Sequence, residues 1–451
     1  MRVRAVVLVV ALVAALAGFA QADSSPASAT LPAAPTPVVV GNKLIDSRSG
    51  AVFVPHGANW PSFEYACSEG WGYSQDGDTN AAAAAMQSWG INTVRVPLNS
   101  NCWLGLDSSD YGTAGGYQAA VAAWVKILNA HGIVVILDLH WSAPSGQHAL
   151  GQWPMADSSS ISFWTGVATT YASDPSVIFD AFNEPYSIWD DATNSYSFQL
   201  TWGCWENGGC QAPLVTTDQT PVSCYNPSTN ACTYTVVGMS QLVAAIRAAG
   251  AAQPIMLGGL NYSNDLSGWL AHKPSDSQLV ASWHNYPGQD PCGYTTSCWD
   301  AATSAVAASV PIITGEFGET DGGSASMTAF MNWADAHGIG YLPWAWWDAD
   351  GLTGDAALYA LYQGTNFTPH APAGTNYEAH LAALSAANLS LHVFHTQPTP
   401  VTAPPLATQS EQEAATSTPA TSDPAEAASI SPPELRRLIL NNQRDFRISE
   451  S

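Results

Sequence analysis

The chain has 451 residues, 46% of them apolar, enough to bury a sizeable core in one large domain or two to three smaller ones. Lys and Arg number 12 against 36 Asp and Glu, a formal charge of −24, which argues against nucleic acid and an anionic membrane surface as partners, since both need a basic patch. Eighteen Trp is a high count for this length and suggests flat apolar surfaces offered to a ligand.

In chain order, residues 1–22 read as a secretory signal. Arg2 and Arg4 precede an apolar run too short to span a bilayer comfortably, and Ala20-Gln21-Ala22 offers a small-residue cleavage site. No later segment resembles a membrane span, so the mature protein is expected to be exported, extracellular and free of the membrane. Residues 23–37, rich in Pro, Ala and Ser, read as a disordered leader. The folded domain is expected over 38–393 and opens with a hairpin in VVVGNKLIDSRSGAVFV. Strands follow at 52–57, 93–97, 134–139, 177–182, 254–257, 279–283, 312–315 and 340–344. Between them lie runs of helical period such as YQAAVAAWVKILNAHG and VGMSQLVAAIRAAGA. Gly132, Gly250 and Gly338 stand where helices need a left-handed terminator. Eight strands alternating with helices predict an α/β fold, a (β/α)8 TIM barrel with an N-terminal capping hairpin.

Residues 186–235 interrupt the rhythm with four Cys, Trp202 and Trp205, and read as a disulfide-stapled insertion after the fourth strand. Eight Cys in an exported chain are expected to pair. Proximity suggests Cys204 with Cys210, Cys224 with Cys232 and Cys292 with Cys298, which leaves Cys67 for Cys102; a shuffled pattern within 204–232 is the alternative. Residues 394–451 form a Pro/Thr/Ala-rich, linker-like tail with one short amphipathic helix near its end.

In such a barrel the chemistry gathers where the strands end. The residues there are Arg95 in NTVRVP, His140 in VVILDLHW, Asn183 and Glu184 in FDAFNEP, His284 and Tyr286 in ASWHNYP, Glu316 in IITGEFGE, and Trp344, Trp346 and Trp347 in YLPWAWWD. Singly, each has an ordinary explanation: an ion-paired Arg, a core His, a Glu that caps a helix. Together, at corresponding positions of different strands, they indicate a catalytic rim. Two Glu on one rim suit glycoside hydrolysis, in which one carboxyl protonates the leaving oxygen and the other attacks or activates water. Glu184 beside Asn183 and His284 suits the protonated role. Glu316 near Arg95 and Tyr286 suits the ionised one.

The ordered set HGANW, VRVP, DLH, FNEP, HNY, GEFG and the Trp-rich eighth strand resembles glycoside hydrolase family 5 over about residues 40 to 390. The resemblance implies a retaining double displacement with Glu184 as acid/base and Glu316 as nucleophile. It also implies supporting roles for Arg95, His140, Asn183, His284 and Tyr286, with Asn183 holding the sugar 2-hydroxyl. The stacking Trp is expected at Trp344, with Trp346 as the alternative. Trp60, Trp71, Trp103 and Trp141 lie in loops beyond strands on the same rim and are candidates for sugar stacking. Trp202 and Trp205 either line the groove or fill the insertion's own core.

The leading expectation is therefore a secreted, monomeric endo-β-1,4-glucanase acting on a β-linked polysaccharide or oligosaccharide. A β-mannanase of the same family is the alternative, and a barrel that binds carbohydrate without cleaving it is the reading from another class. No metal or organic cofactor is expected, because two carboxyl groups suffice for the reaction.

Overall fold

The computed structural model describes residues 33–75, 77–144, 146–286, 295–318 and 325–392. The expected signal, most of the leader, Cys292 and the 394–451 tail lie outside the described residues. The end of the expected leader is packed: Ala34 and Thr36 are buried, and the Thr36 amide donates to Asp46 Oδ1 at 2.8 Å. The hairpin follows as β1 (Pro37–Val40) and β2 (Lys43–Asp46), paired antiparallel with Val39 opposite Leu44.

The barrel's first half comprises β3 (Gly57–Asn59), α1 (Asn80–Trp89), β4 (Thr93–Asn99), α2 (Ser100–Leu104), α3 (Ala114–Ala130), β5 (Val134–Trp141), α4 (Ser158–Tyr171) and β6 (Val177–Asp180). The insertion holds the hairpin β7 (Ile188–Asp190) and β8 (Ser195–Phe198), then α5 (Trp202–Asn207) and the pair β9 (Gln211–Pro213) and β10 (Thr233–Thr235). The second half runs through α6 (Met239–Ala248), β11 (Ile255–Gly258), α7 (Trp269–His272), β12 (Leu279–Asn285), α8 (Thr296–Ala307), β13 (Ile312–Phe317), α9 (Ala325–His337) and β14 (Gly340–Pro343). Two more helices, α10 (Gly354–Tyr359) and α11 (Ala373–His392), follow. Local chemistry sets many ends. Thr79, Asn99, Thr113, Asp157 and Thr201 cap helix N-termini with side-chain oxygens. Gly132, Gly250 and Gly338 take φ of 77°, 88° and 65°, the left-handed stop their positions suggested.

Eight parallel strands pair in the order β3-β4-β5-β6-β11-β12-β13-β14. Closure comes from a parallel bridge between His56 and Tyr341 and from the Trp346 amide donating to the Asn59 carbonyl at 2.8 Å. The barrel is thus nearly closed. Its first strand departs from expectation: it begins at Gly57, where the predicted run ended. Val52 instead bridges Ile45 antiparallel and the Phe53 amide donates to Leu44, so the run extends the hairpin, and Pro55 has no N–H to give a ladder.

Hairpin residues plug the barrel's N-terminal end. Leu44 and Phe53, with Val39 beside them, form one apolar cluster with inward residues Val134, Ile136, Ile178, Val280 and Ile313. A larger apolar layer lies between strands and helices and takes up Trp124, Trp164, Trp269, Trp283 and Trp299. Disulfides join Cys204–Cys210 and Cys224–Cys232, as proximity suggested, and Cys67–Cys102, the pair expected by elimination. Cys298 is also disulfide-bonded. No helix among the described residues is long and apolar enough to cross a membrane.

Candidate active site

The period-two alternation of a strand explains how the site is built. On β5, Val135, Leu137 and Leu139 join the outer layer, while Val134 and Ile136 line the barrel's lower interior. Asp138 and His140 continue the inward series, so the same face turns from apolar to charged as the strand rises. On β12, Val280 is the apolar inward residue and Ser282 and His284 follow it, all buried. β13 breaks the pattern. Trp283 pairs with Thr314 but His284 pairs with Glu316, so Gly315 is the extra residue of a bulge, and Glu316 is turned onto the register of His284. A side chain at Gly315 would lie 2.9 Å from His284 Nε2 and from Ser282 Oγ, which is why glycine occupies the bulge.

Arg95 is the hub. Fully buried, it donates through Nη1 to Glu316 Oε1 at 2.8 Å and Asn59 Oδ1 at 3.0 Å, through Nε to Asp180 Oδ2 at 3.0 Å, and through Nη2 to Asn183 Oδ1 at 2.7 Å. Its Nη2 also lies 3.0 Å from Asp138 Oδ2, which meets His140 Nδ1 at 2.7 Å. Glu316 receives a second hydrogen bond on Oε2, from the Tyr286 hydroxyl at 2.7 Å. Glu184 has a different shell: His284 Nδ1 lies 2.7 Å from Oε1, and Gln152 Nε2 donates to its carbonyl at 3.0 Å. Asn183 Nδ2 donates to Gln152 Oε1 and faces His140 Nε2 at 3.5 Å. Trp344, half-buried, stacks on His140 with ring centroids 5.5 Å apart and planes 16° from parallel.

Burial pushes the Glu184 carboxyl up to about 7, against the pull of nearby His140, the Gln152 hydrogen bond and Arg95. Burial lowers His284 to about 3 and His140 to about 4, so both imidazoles are neutral near pH 7. Asp138 and Asp180 are raised by desolvation against the attraction of Arg95. Burial also lifts Glu64, beside the site on the loop after β3, to about 8, although its Oε2 accepts the Ser62 amide at 2.7 Å.

Arg95, His140, Asn183, Glu184, His284, Tyr286, Glu316 and Trp344 thus come together in one cluster. Trp346, the alternative platform, is buried against Trp89, Tyr362 and Phe367. Two stacking candidates must be corrected. Trp60 is 2% exposed and packs on Phe63 and Trp124, and Trp103 is 2% exposed and packs on Tyr117 and Phe163, so neither ring offers a face to a ligand. Trp71, 48% exposed, and the partly exposed Trp141 both border Tyr65. Trp205 is buried and donates to the Gly258 carbonyl at 2.9 Å, while Trp202 packs on Trp205 and stacks on His272. Trp205 thus anchors the insertion to β11 and Trp202 packs it against α7, so the two rings join the main apolar layer rather than a separate core of the insertion.

Asn59, Asp138, Asp180, Gln152 and Glu64 belong to the site's polar shell and were not singled out from sequence. Asp138 and Asp180 left a signal, a carboxylate inside an otherwise apolar strand, as in VVILDLHW and VIFDAFNEP. Gln152 sits in a loop with no pattern to mark it.

Among the described residues, three groups bring metal-ligand atom types within 4.8 Å of one another: Glu184, His284 and Glu316; Asp107, Asp110 and His148; and Cys67, Cys102 and Asp110. In the first, a cation would compete with the Arg95 guanidinium already 2.8 Å from Glu316. In the third, both sulfurs are committed to a disulfide.

Comparison with known proteins agrees with this geometry. A model of the family described as Cellulase (glycosyl hydrolase family 5) matches residues 49–350. A mannan endo-1,4-beta-mannosidase of Streptomyces lividans is 23% identical over 348 residues, covering 74% of this chain and 72% of that protein. Similar solved structures include a beta-glucanase from Saccharophagus degradans, at TM-score 0.56 and 19% identity over 79% of this chain and 95% of that one. A hyperthermophilic endocellulase from Pyrococcus horikoshii has TM-score 0.57 and 17% identity, covering 78% of this chain and 100% of that one. With a family match across most of the barrel and the barrel itself in hand, the chain belongs to glycoside hydrolase family 5.

Proposed function

We propose that this glycoside hydrolase is a retaining endo-β-1,4-glycanase, with Glu184 as acid/base and Glu316 as nucleophile. The observation that carries the reading is a pair of carboxyl groups, one oxygen of each within 4.8 Å of the other, with opposite surroundings. That spacing favours the retaining separation of about 5 to 5.5 Å over the inverting one of about 6.5 to 9.5 Å. Arg95 and Tyr286 donate into Glu316 and aim it as a carboxylate, whereas burial keeps a proton on Glu184 up to about pH 7. Glu316 attacks the anomeric carbon while Glu184 protonates the departing oxygen. Glu184 then takes a proton from the water that releases the glycosyl ester. Trp344 supplies a flat platform beside His140, and Asn183, whose Nδ2 makes only a long 3.5 Å contact with His140 Nε2, is the residue from which a sugar 2-hydroxyl would accept a hydrogen bond in place of that contact.

We place β-1,4-glucan first as substrate and β-mannan second, the latter favoured by the mannosidase relative. Initial rates on carboxymethylcellulose and on galactomannan test the order, and cleavage of mannan alone would reverse it. NMR of the first-formed anomer tests retention; an inverted product would overturn the assignment of Glu316 as nucleophile. The basic-then-apolar N-terminus and the disulfides support secretion, and action as a monomer is part of the same proposal.

A further inference from the structure

Glu184 and His284 meet at 2.7 Å although they rise from strands that are not neighbours, because β11 lies between β6 and β12. β11 ends early, at Gly258, and the space above it is filled by a turn at 261–264. Asn261, Tyr262 and Ser263 take φ of 57°, 59° and 60°, three successive left-handed residues and none of them glycine. L-residues adopt that conformation at a cost and keep it only where the surroundings over-determine it. Here the surroundings are the two strand ends that carry the site.

On the β6 side, Ser263 Oγ donates to the Asn183 carbonyl at 2.7 Å and the Tyr262 amide donates to the Pro185 carbonyl at 2.9 Å, so the turn holds the chain on both sides of Glu184. On the β12 side, the Ser263 carbonyl accepts the His284 amide at 3.1 Å and Asn264 Nδ2 donates to the His284 carbonyl at 3.0 Å. Both peptide groups of His284 are held as well. Gly258 makes room: a Cβ there would meet Ser263 Oγ at 2.2 Å. Ser263 is fully buried and joins both sides.

We propose that Ser263 is a positioning residue for the acid/base carboxyl, its hydroxyl and carbonyl together fixing the ends of β6 and β12 so that Glu184 faces the departing glycosidic oxygen. The inference rests on the reading of Glu184 as acid/base. A carboxyl displaced by about 1 Å loses on the order of a hundredfold in rate when proton delivery is limiting, and little when the leaving group needs no proton.

The test compares kcat/KM on cellopentaose with kcat/KM on 2,4-dinitrophenyl β-cellobioside, using the mannose counterparts if the polymer assay favours mannan. The variants are Ser263→Ala, Ser263→Gly and Glu184→Gln. Ser263→Ala and Ser263→Gly are expected to lose about tenfold to a hundredfold on the pentasaccharide, through kcat more than KM, and to stay within about threefold of the parent on the dinitrophenyl substrate. Retained activity on the latter also reports that the variants fold. Glu184→Gln should show the same split, more strongly. If it shows none, the acid/base reading fails. If Glu184→Gln shows the split while the Ser263 variants are unaffected, or fall equally on both substrates, the positioning role is overturned. Normal activity in Ser263→Gly beside a defective Ser263→Ala would also overturn it, by making the turn's conformation rather than the hydroxyl the cause.

Discussion

The two ends of the barrel interior are built from the same strands and behave as opposites. At the N-terminal end, Val134, Ile136, Ile178, Val280 and Ile313 meet the hairpin plug of Leu44 and Phe53. One or two inward positions further along, the same strands present Asp138, His140, Asp180, His284 and Glu316 around Arg95. Fold stability and chemistry are therefore separated by height on a strand rather than by segment of sequence. The lower layer gains from removing apolar area from water. The upper layer bears the desolvation of charge and is held by paired, hydrogen-bonded partners.

Substitutions at the two ends should then fail in different ways. The largest effect is expected at the top. Glu316→Gln should lower kcat by about 10³-fold or more, and Glu184→Gln by about 10²- to 10⁴-fold on polysaccharide, with thermal unfolding little changed. Full hydrolysis by either variant would dissolve the contrast between the ends. At the base, Leu44→Ala should cost about 2–5 kcal/mol in urea unfolding while kcat per folded molecule stays at the parent value. A large loss of kcat there would show that the ends are not independent.

The pH dependence sharpens the comparison from the upper end. Glu184 must carry its proton to serve as acid, and burial places its loss at about 7. Accordingly kcat/KM on polysaccharide should fall by about tenfold per pH unit above that point. The limb should disappear in Glu184→Gln. The smallest effect is expected outside both layers. Trp71→Ala removes a half-exposed ring and should raise KM for long oligosaccharides by about twofold to tenfold, leaving kcat and the unfolding midpoint unchanged. An unchanged KM would remove Trp71 from the sugar-binding surface.

Strands and rim were legible because a parallel strand buried on both faces leaves a plain apolar run, and the first polar residue after it marks the rim. That reasoning located Glu184, His284 and Glu316, whereas Arg95 showed as a charge inside an apolar run, at the third residue of β4. It misplaced the first strand because AVFVP is apolar for another reason: Phe53 belongs to the plug. It also misassigned Trp60 and Trp103. Both do lie beyond rim strands, Trp60 in a loop and Trp103 on α2, but sequence does not reveal which way a ring turns, and both turn inward. Ser263 and Gln152 were out of reach because their contacts come from distant loops. Ser263 meets a carbonyl 80 positions away, and Gln152 joins a residue 31 positions on.

Arg95 has a consequence for how the enzyme is made. Its partners are 36, 43, 85, 88 and 221 positions distant in the chain, and the farthest, Glu316, is the proposed nucleophile. Closure of the barrel likewise waits for Tyr341 to reach His56. During synthesis the guanidinium therefore leaves the ribosome long before the carboxylate it will hold, and contacts of such separation form slowly. The nascent chain should be catalytically silent until its final third has emerged, so the onset of hydrolysis would serve as a built-in timer of completed folding.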